Sequence, residues 1–280
     1  MKKLYEASMK KCEAEYKKEN AKNPEVLSAL SPAQNEMYGD FIVKYMGDFQ
    51  EDLGDVPGLL FQKINSIYGV VYAPLREMGK LDINTYSYSF IPKCYTYMDL
   101  GSLSASGITR LQGHPYLQLK GQGTAIAIVD SGIDYRNPLF WNEMGSRILC
   151  IWDQTLEGDN EEVPFGRVFW KKDIDRALAS ENPLEIVPST DTNGHGTRMA
   201  AIAAGNYMPE ENFSGAAPEA MLIVVKVKQA KKYLREFYLF TSSAELFQEN
   251  DIMIGMDFAV KTANDRQMPL SLCLGIGSSQ

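Results

Sequence analysis

Two short stretches hold residues whose types and spacing could move a proton. In TAIAIVDSGID, residues 124–134, Asp130 follows a continuous apolar run and precedes Ser131-Gly132. Such a run reads as a buried parallel strand, which puts Asp130 at the strand's C-terminal end, where open α/β sheets gather their ligands. In TDTNGHGTRMAAIAAG, residues 190–205, His195 is one of only two histidines in the chain. It opens an alanine-rich helix after the turn-former Asn193-Gly194; Gly194 and Gly196 permit close backbone approach, and Thr197 can cap or buttress the turn. Asp130 and His195 are 65 positions apart, so only the fold can bring them together. Once together, the carboxylate would accept from one imidazole nitrogen, fix the tautomer and leave the other nitrogen as a general base. Taken singly, each residue has a plain structural reading: a turn aspartate and a satisfied histidine.

The elements that must position this pair are legible downstream of Gly121. TAIAIVD and AMLIVVKVK read as buried strands and LSLCLGIG as a third strand, with HGTRMAAIAAG and QENDIMIGMDFAVKTANDR as helices. Alternating strands and helices predict an α/β fold with a parallel sheet and flanking helices over 121–280. Upstream the texture differs. DFIVKYMG is a strand pattern, DFQEDLGDVPG is helix-capable, and LLFQKINSIYGVVYAPLR alternates like a hairpin turning near Asn65. REMGKLDIN and YSYSFIPKCYTYMDL add a short helix and a last extended segment, so that 37–100 follows the strand-helix-strand-strand-helix-strand order of a ferredoxin-like unit. Residues 101–120, small and polar with turn signals, suit a linker. Tyr5, Met9, Cys12 and Tyr16 recur at helical spacing and make 1–36 an amphipathic helical extension.

Composition narrows the partners. A formal net charge of −8 and a pI near 5.0 argue against nucleic acid, which demands clustered Lys and Arg. No apolar run approaches the roughly 20 residues of a membrane helix, and charges at Glu6, Lys10 and Lys11 interrupt any signal-like core. A soluble, cytoplasmic protein with a protein or peptide partner is the expectation. Cys12, Cys94, Cys150 and Cys273 show no metal-ligand spacing and read as buried free thiols. The acidic run Glu157–Glu162 lacks calcium-loop spacing and reads as a solvated loop. Gly121-x-Gly123 precedes its strand instead of following it, which excludes a dinucleotide fingerprint. His114, in Gly-His-Pro, reads as a linker residue. No cofactor and no metal are expected.

Taken in order, Asp-Ser-Gly-Ile-Asp after a strand, Asn-Gly-His-Gly-Thr before a small-residue helix, then SGAAPEAMLIVVKVK and LSLCLGIG, resemble the subtilisin-like serine proteases over residues 119–280. RILCIWDQTLEGD, LREFY and QENDIMIGMDFA are similar to the clostridial subtilases related to the spore-germination proteases, an analogy that would allow a spore location. The resemblance implies that Asp130 is the catalytic aspartate and His195 the catalytic histidine. It implies that Cys273, Leu274 and Gly275 form the substrate-pairing strand, with Cys where Ser is usual, and that 37–100 is a propeptide.

The family's serine lies in a Gly-Thr-Ser-x-Ala motif downstream of that strand, and residues 1–280 contain no such motif. Thr241-Ser242-Ser243-Ala244 lacks the preceding glycine and, with Glu245, reads as a helix-capping pattern. The family's oxyanion-donating Asn is also missing. The expectation is a subtilisin-like endopeptidase whose 280 residues carry base and orienter without a nucleophile, inactive alone. The alternative is a non-catalytic relative that binds peptides or a partner protease.

Overall fold

A computed structural model of the chain describes residues 31–45, 58–76, 90–97, 119–158, 162–211, 213–240 and 244–277. Several expectations lie outside the described residues: the helical extension over 1–36 except for residues 31–36, which form turns and no helix, most of the helices over 48–58 and 76–84, nearly all of the 101–120 linker with His114, Cys12, part of the acidic run, and Thr241-Ser242-Ser243.

In chain order the elements are β1 (Tyr38–Lys44), β2 (Leu60–Lys63), β3 (Tyr68–Pro74), β4 (Cys94–Tyr97), β5 (Ala125–Asp130), β6 (Ile148–Asp153), β7 (Arg167–Trp170), α1 (Lys171–Leu178), α2 (His195–Ala204), β8 (Met221–Lys226), α3 (Lys232–Phe237), β9 (Phe247–Gln248), α4 (Glu249–Asp265) and β10 (Leu270–Leu274). Backbone packing divides the chain into two compact units, Met1–Thr96 with Gln229–Ile254 and Tyr97–Lys228 with Gly255–Gln280.

The second unit is an α/β structure around a five-stranded sheet in the order β10-β5-β8-β6-β7. β10, β5, β8 and β6 run parallel; β5, β8 and β6 are unbroken apolar runs that are buried almost throughout, as strands covered on both faces need no polar alternation, whereas β10 at the sheet edge is largely exposed. All six residues of β5 are buried, and each fully buried Ile or Val there contributes about 1.5–3 kcal/mol. Ile126 and Ile128 join Ile151, Leu222, Val224 and Ala200 in one apolar core. Behind the sheet, Phe258 of α4 packs on the fully buried Trp152, with ring centroids 5.1 Å apart.

β7 departs from the expected all-parallel pattern, pairing antiparallel with β6. Its connection from β6 carries Gly158, Pro164 and Gly166, and no described stretch of it is helical. Without a crossover helix the chain can only turn back along its own edge.

In the other unit β3 lies between β1 and β2, antiparallel to both, so β1 and β2 run in the same direction, as in a split β-α-β unit. The turn between β2 and β3 falls at Asn65, whose side chain accepts from the backbone N–H groups of Ile67 and Tyr68 at 2.9 Å. β4 pairs with β9. Phe41, Val43, Val71 and Ala73 share a core with Tyr233 and Leu234 of α3. Beneath it lies a buried polar knot. Asp40, fully buried, takes Lys231 Nζ as an ion-pair partner and hydrogen bonds from Gln248 at 2.8 Å and Asn250 at 3.0 Å. Burial, then the negative charges of Asp40 and Asp251, push the Tyr72 phenol well up.

No described helix is long and apolar enough to cross a membrane.

Candidate active site

The sheet register gathers charged side chains at one crest. Lys226, the last residue of β8, stands opposite Asp130 on one side and Asp153 on the other. Asp153 is fully buried, accepts Ser189 Oγ at 2.7 Å and lies 3.4 Å from Lys226 Nζ. Parallel strands deliver their C-terminal residues to the same edge, which is why three residues distant in sequence meet there.

Gly132, at φ 117°, turns the chain after Asp130. A side chain there would press on Lys226 and on the Thr190 carbonyl, and that left-handed backbone suits glycine alone. The chain reaches His195 through a second glycine, Gly194, at φ 75°, where α2 begins. Gly196 then packs against the β5 exit: a Cβ there would stand 2.2 Å from the Gly132 carbonyl oxygen and 3.1 Å from Asp130 Cβ. Gly194 by contrast faces open space. Of the two glycines expected to admit the histidine, Gly196 permits the close approach and Gly194 serves backbone conformation alone.

The consequence is a direct contact. His195 Nδ1 lies 2.8 Å from Asp130 Oδ1; Asp130 is fully buried and His195 is 8% exposed. Asp130 Oδ1 also accepts the Ser131 N–H at 2.7 Å, so it is an acceptor, and Nδ1 carries the proton that joins the pair. Burial raises the Asp130 carboxyl above its usual range, opposed by the hydrogen bonds from His195 and Ser131. Among the described residues Asp130 Oδ2 has no hydrogen-bond partner.

The three residues expected to form a substrate-pairing strand lie on and just beyond β10. Cys273 is opposite Ile128 and Leu274 opposite Val129. Gly275 is pressed against the pair: a Cβ there would stand 2.1 Å from Asp130 Oδ2 and 3.1 Å from His195 Cε1. The structure thus brings Asp130, His195 and Gly275 together, with Cys273 and Leu274 leading up to them. Burial, and secondarily the charge of Asp130, push the Cys273 thiol up, which leaves it protonated and a poor nucleophile at neutral pH. Burial pushes the thiols of Cys94 and Cys150 to about 12.

Sequence reasoning did not single out Ser131 or Asp191. Ser131 Oγ donates to Asp191 Oδ1 at 2.7 Å and accepts the Gly196 N–H at 2.9 Å. Asp191 also accepts Thr197 N at 2.8 Å and Thr197 Oγ1 at 2.6 Å, while Thr197 Oγ1 accepts the Asp134 N–H at 2.9 Å. Thr197 therefore buttresses the turn, as its position suggests. The available signal for Asp191 was a carboxylate four residues before His195 and six before Thr197, close enough to cap the first turn of α2. No group of His, Cys, Asp and Glu among the described residues could hold a metal ion.

Fold and site define a class: an α/β protein with a buried Asp–His pair at the C-terminal crest of a parallel sheet. The model of the subtilase family, Peptidase_S8, matches residues 121–251, and this stretch is therefore similar to that family. Subtilisin-like protease SBT1.9 of Arabidopsis thaliana is 29% identical over 121 residues, 38% of this chain. The match spans 16% of that relative's length. Among solved structures, the Clostridium perfringens CspB protease is 28% identical, with 60% of this chain and 32% of that one covered and a TM-score of 0.47. MycP1 with its N-terminal propeptide removed is 15% identical, with 60% and 45% covered and a TM-score of 0.28.

Proposed function

We propose that the chain is the propeptide and the N-terminal part of the catalytic domain of a subtilisin-like serine endopeptidase. The observation that carries this reading is the 2.8 Å contact between His195 Nδ1 and Asp130 Oδ1 at the crest of a subtilase-like sheet. In the complete protease His195 Nε2 would take the proton of a serine hydroxyl as it attacks the peptide carbonyl, then return it to the leaving amine. Asp130 would hold the ring's tautomer and balance the imidazolium. Cys273, Leu274 and Gly275 would pair with the substrate backbone beside the reacting bond, and 37–100 would be the propeptide, joined through 101–120. Residues 1–280 alone supply orienter and base without the Gly-Thr-Ser-x-Ala nucleophile, so the isolated chain is inactive.

Two measurements test this. The reading frame beyond codon 280 should contain Gly-Thr-Ser-x-Ala; a stop codon there would instead favour a peptide-binding relative. The isolated chain should neither turn over a fluorogenic peptide nor react with a serine-directed phosphonate. Stoichiometric labelling of any serine, Ser242 and Ser243 included, would overturn the assignment.

A further inference from the structure

We propose that Asp191 is a positioning residue for the proton-transfer pair, the strut that fixes Asp130 and His195 in register; the inference rests on the peptidase reading above. Four donors converge on its carboxylate. Oδ1 takes Ser131 Oγ at 2.7 Å and Gly194 N at 3.1 Å. Oδ2 takes Thr197 N at 2.8 Å and Thr197 Oγ1 at 2.6 Å. These donors belong to the two segments that must be registered: Ser131 follows Asp130, whereas Gly194 and Thr197 flank His195.

The links run on to the reacting groups. Ser131 donates its N–H to Asp130 Oδ1, the same oxygen that faces His195 Nδ1, and its Oγ accepts the Gly196 N–H. Thr197 Oγ1 accepts the Asp134 N–H, which closes a ring between the β5 exit loop and the first turn of α2. A helix start leaves its first N–H groups without intrahelical partners. Gly194, the N-cap of α2, has no side chain to meet them. Asp191 substitutes for the missing cap from outside the helix, and its negative charge sits at the positive end of the helix dipole. The same carboxylate therefore stabilises the helix that carries the base and ties that helix to the loop that carries the orienter. Without it, Ser131 Oγ loses its acceptor and is free to rotate off Gly196. The His195 ring then loses the fixed backbone that holds Nδ1 on Asp130.

Nitrogen-15 NMR of the His195 ring in the full 280-residue chain reads this directly, because the two ring nitrogens report which one carries the proton. The native chain should show a single neutral form protonated at Nδ1. Asp191→Ala should replace it with an exchange-averaged mixture of the two tautomers. Thr197→Val, which removes one strut at nearly constant shape, should produce the same averaging in smaller degree, and Thr197→Ser should restore the native signals. Asp175→Ala removes a carboxylate that caps Ser146 N at 2.7 Å on a remote part of the same unit, so it should leave His195 unchanged whatever it does to melting. Unchanged His195 signals in folded Asp191→Ala would overturn the proposal, as would equal averaging in Asp175→Ala. Should Asp191→Ala fail to fold, the Thr197→Val and Thr197→Ser pair decides by the same criterion. The readout needs no nucleophile. A single native tautomer that depends on Asp191 would stand even if residues beyond codon 280 supplied no serine, in which case the peptidase reading alone would fail.

Discussion

Gly196 lies so close to Gly132 that a methyl group on the former would stand 2.2 Å from the carbonyl oxygen of the latter. The opposing atoms are backbone and cannot swing aside. Gly196→Ala should therefore cost about 3 kcal/mol or more, at the severe end of overpacking, and displace α2 from Asp130. Gly194→Ala meets open space and bears only the left-handed backbone penalty of about 1–2 kcal/mol. Urea unfolding of the two variants gives the ranking, and His195 ring shifts should move in Gly196→Ala alone. Equal losses would mean that the close approach is not what limits this position.

Asp130 makes stability depend on pH in a defined sense. Burial raises its carboxyl above the usual aspartate range in the folded chain, so the folded state holds this proton more tightly than the unfolded state. The group's contribution is then fully present below about pH 3.9, the unfolded value, and declines as pH rises through the raised folded value. Measured by urea titration across that window, the stability of the native chain minus that of Asp130→Asn should fall with rising pH and then level off. A difference that is flat or that climbs would show that hydrogen bonding from His195 and Ser131 outweighs burial.

Arg147 is 4% exposed, and burial lowers its guanidinium. Its fork ties α2 to the sheet: it donates to the carbonyls of Ala220 at 2.7 Å and Leu139 at 2.8 Å, to Ala204 at the end of α2, and to Asn206 Oδ1 at 3.0 Å. Arg147→Met strands the buried carbonyls of Ala220 and Ala204, while Leu139 keeps the Asn206 N–H; each stranded carbonyl is worth about 1–3 kcal/mol when buried unpaired, so a loss of about 2 kcal/mol or more is expected. Arg147→Lys should recover little of it, since an ammonium lacks the planar five-donor fork. Thermal unfolding of both variants measures this, and near-native melting of Arg147→Lys would refute the fork argument.

The Asp40–Lys231 pair is buried on both sides. Lys231→Met leaves Asp40 buried without its counter-charge and should cost about 3–5 kcal/mol. Adding Asp40→Asn removes that charge, and the double variant should be more stable than Lys231→Met alone. Denaturant midpoints of four chains, the native chain, Lys231→Met, Asp40→Asn and the double variant, settle the coupling. Strict additivity would mean that Asp40 is compensated by Gln248 and Asn250 without the lysine.

Much of the fold was legible locally. Continuous apolar runs such as AIAIVD and MLIVVK specify strands buried on both faces, and Asn65 marks the hairpin turn, because burial and turn chemistry act over a few residues. Asp130 and His195 stood out for the same reason, each at a strand or helix boundary that the neighbouring residues define. β7 was not legible, since nothing in RVFW distinguishes parallel from antiparallel pairing; the missing crossover helix decided it. Asp191 and Ser131 were also passed over. Their hydroxyl and carboxylate acquire a role only when the β5 exit and the start of α2 come within hydrogen-bond distance.

The sequence by itself determined which residues could do proton chemistry and which elements carry them, because side-chain type, apolar periodicity and glycine placement are local properties. Tertiary structure alone decided that Asp130 and His195 meet, that Gly196 rather than Gly194 admits the contact, and that Gly275 closes on Asp130 Oδ2. Each of these is a distance between segments separated by more than 60 residues, set by strand order and by how closely a helix can approach a sheet. No local propensity encodes a distance of that kind.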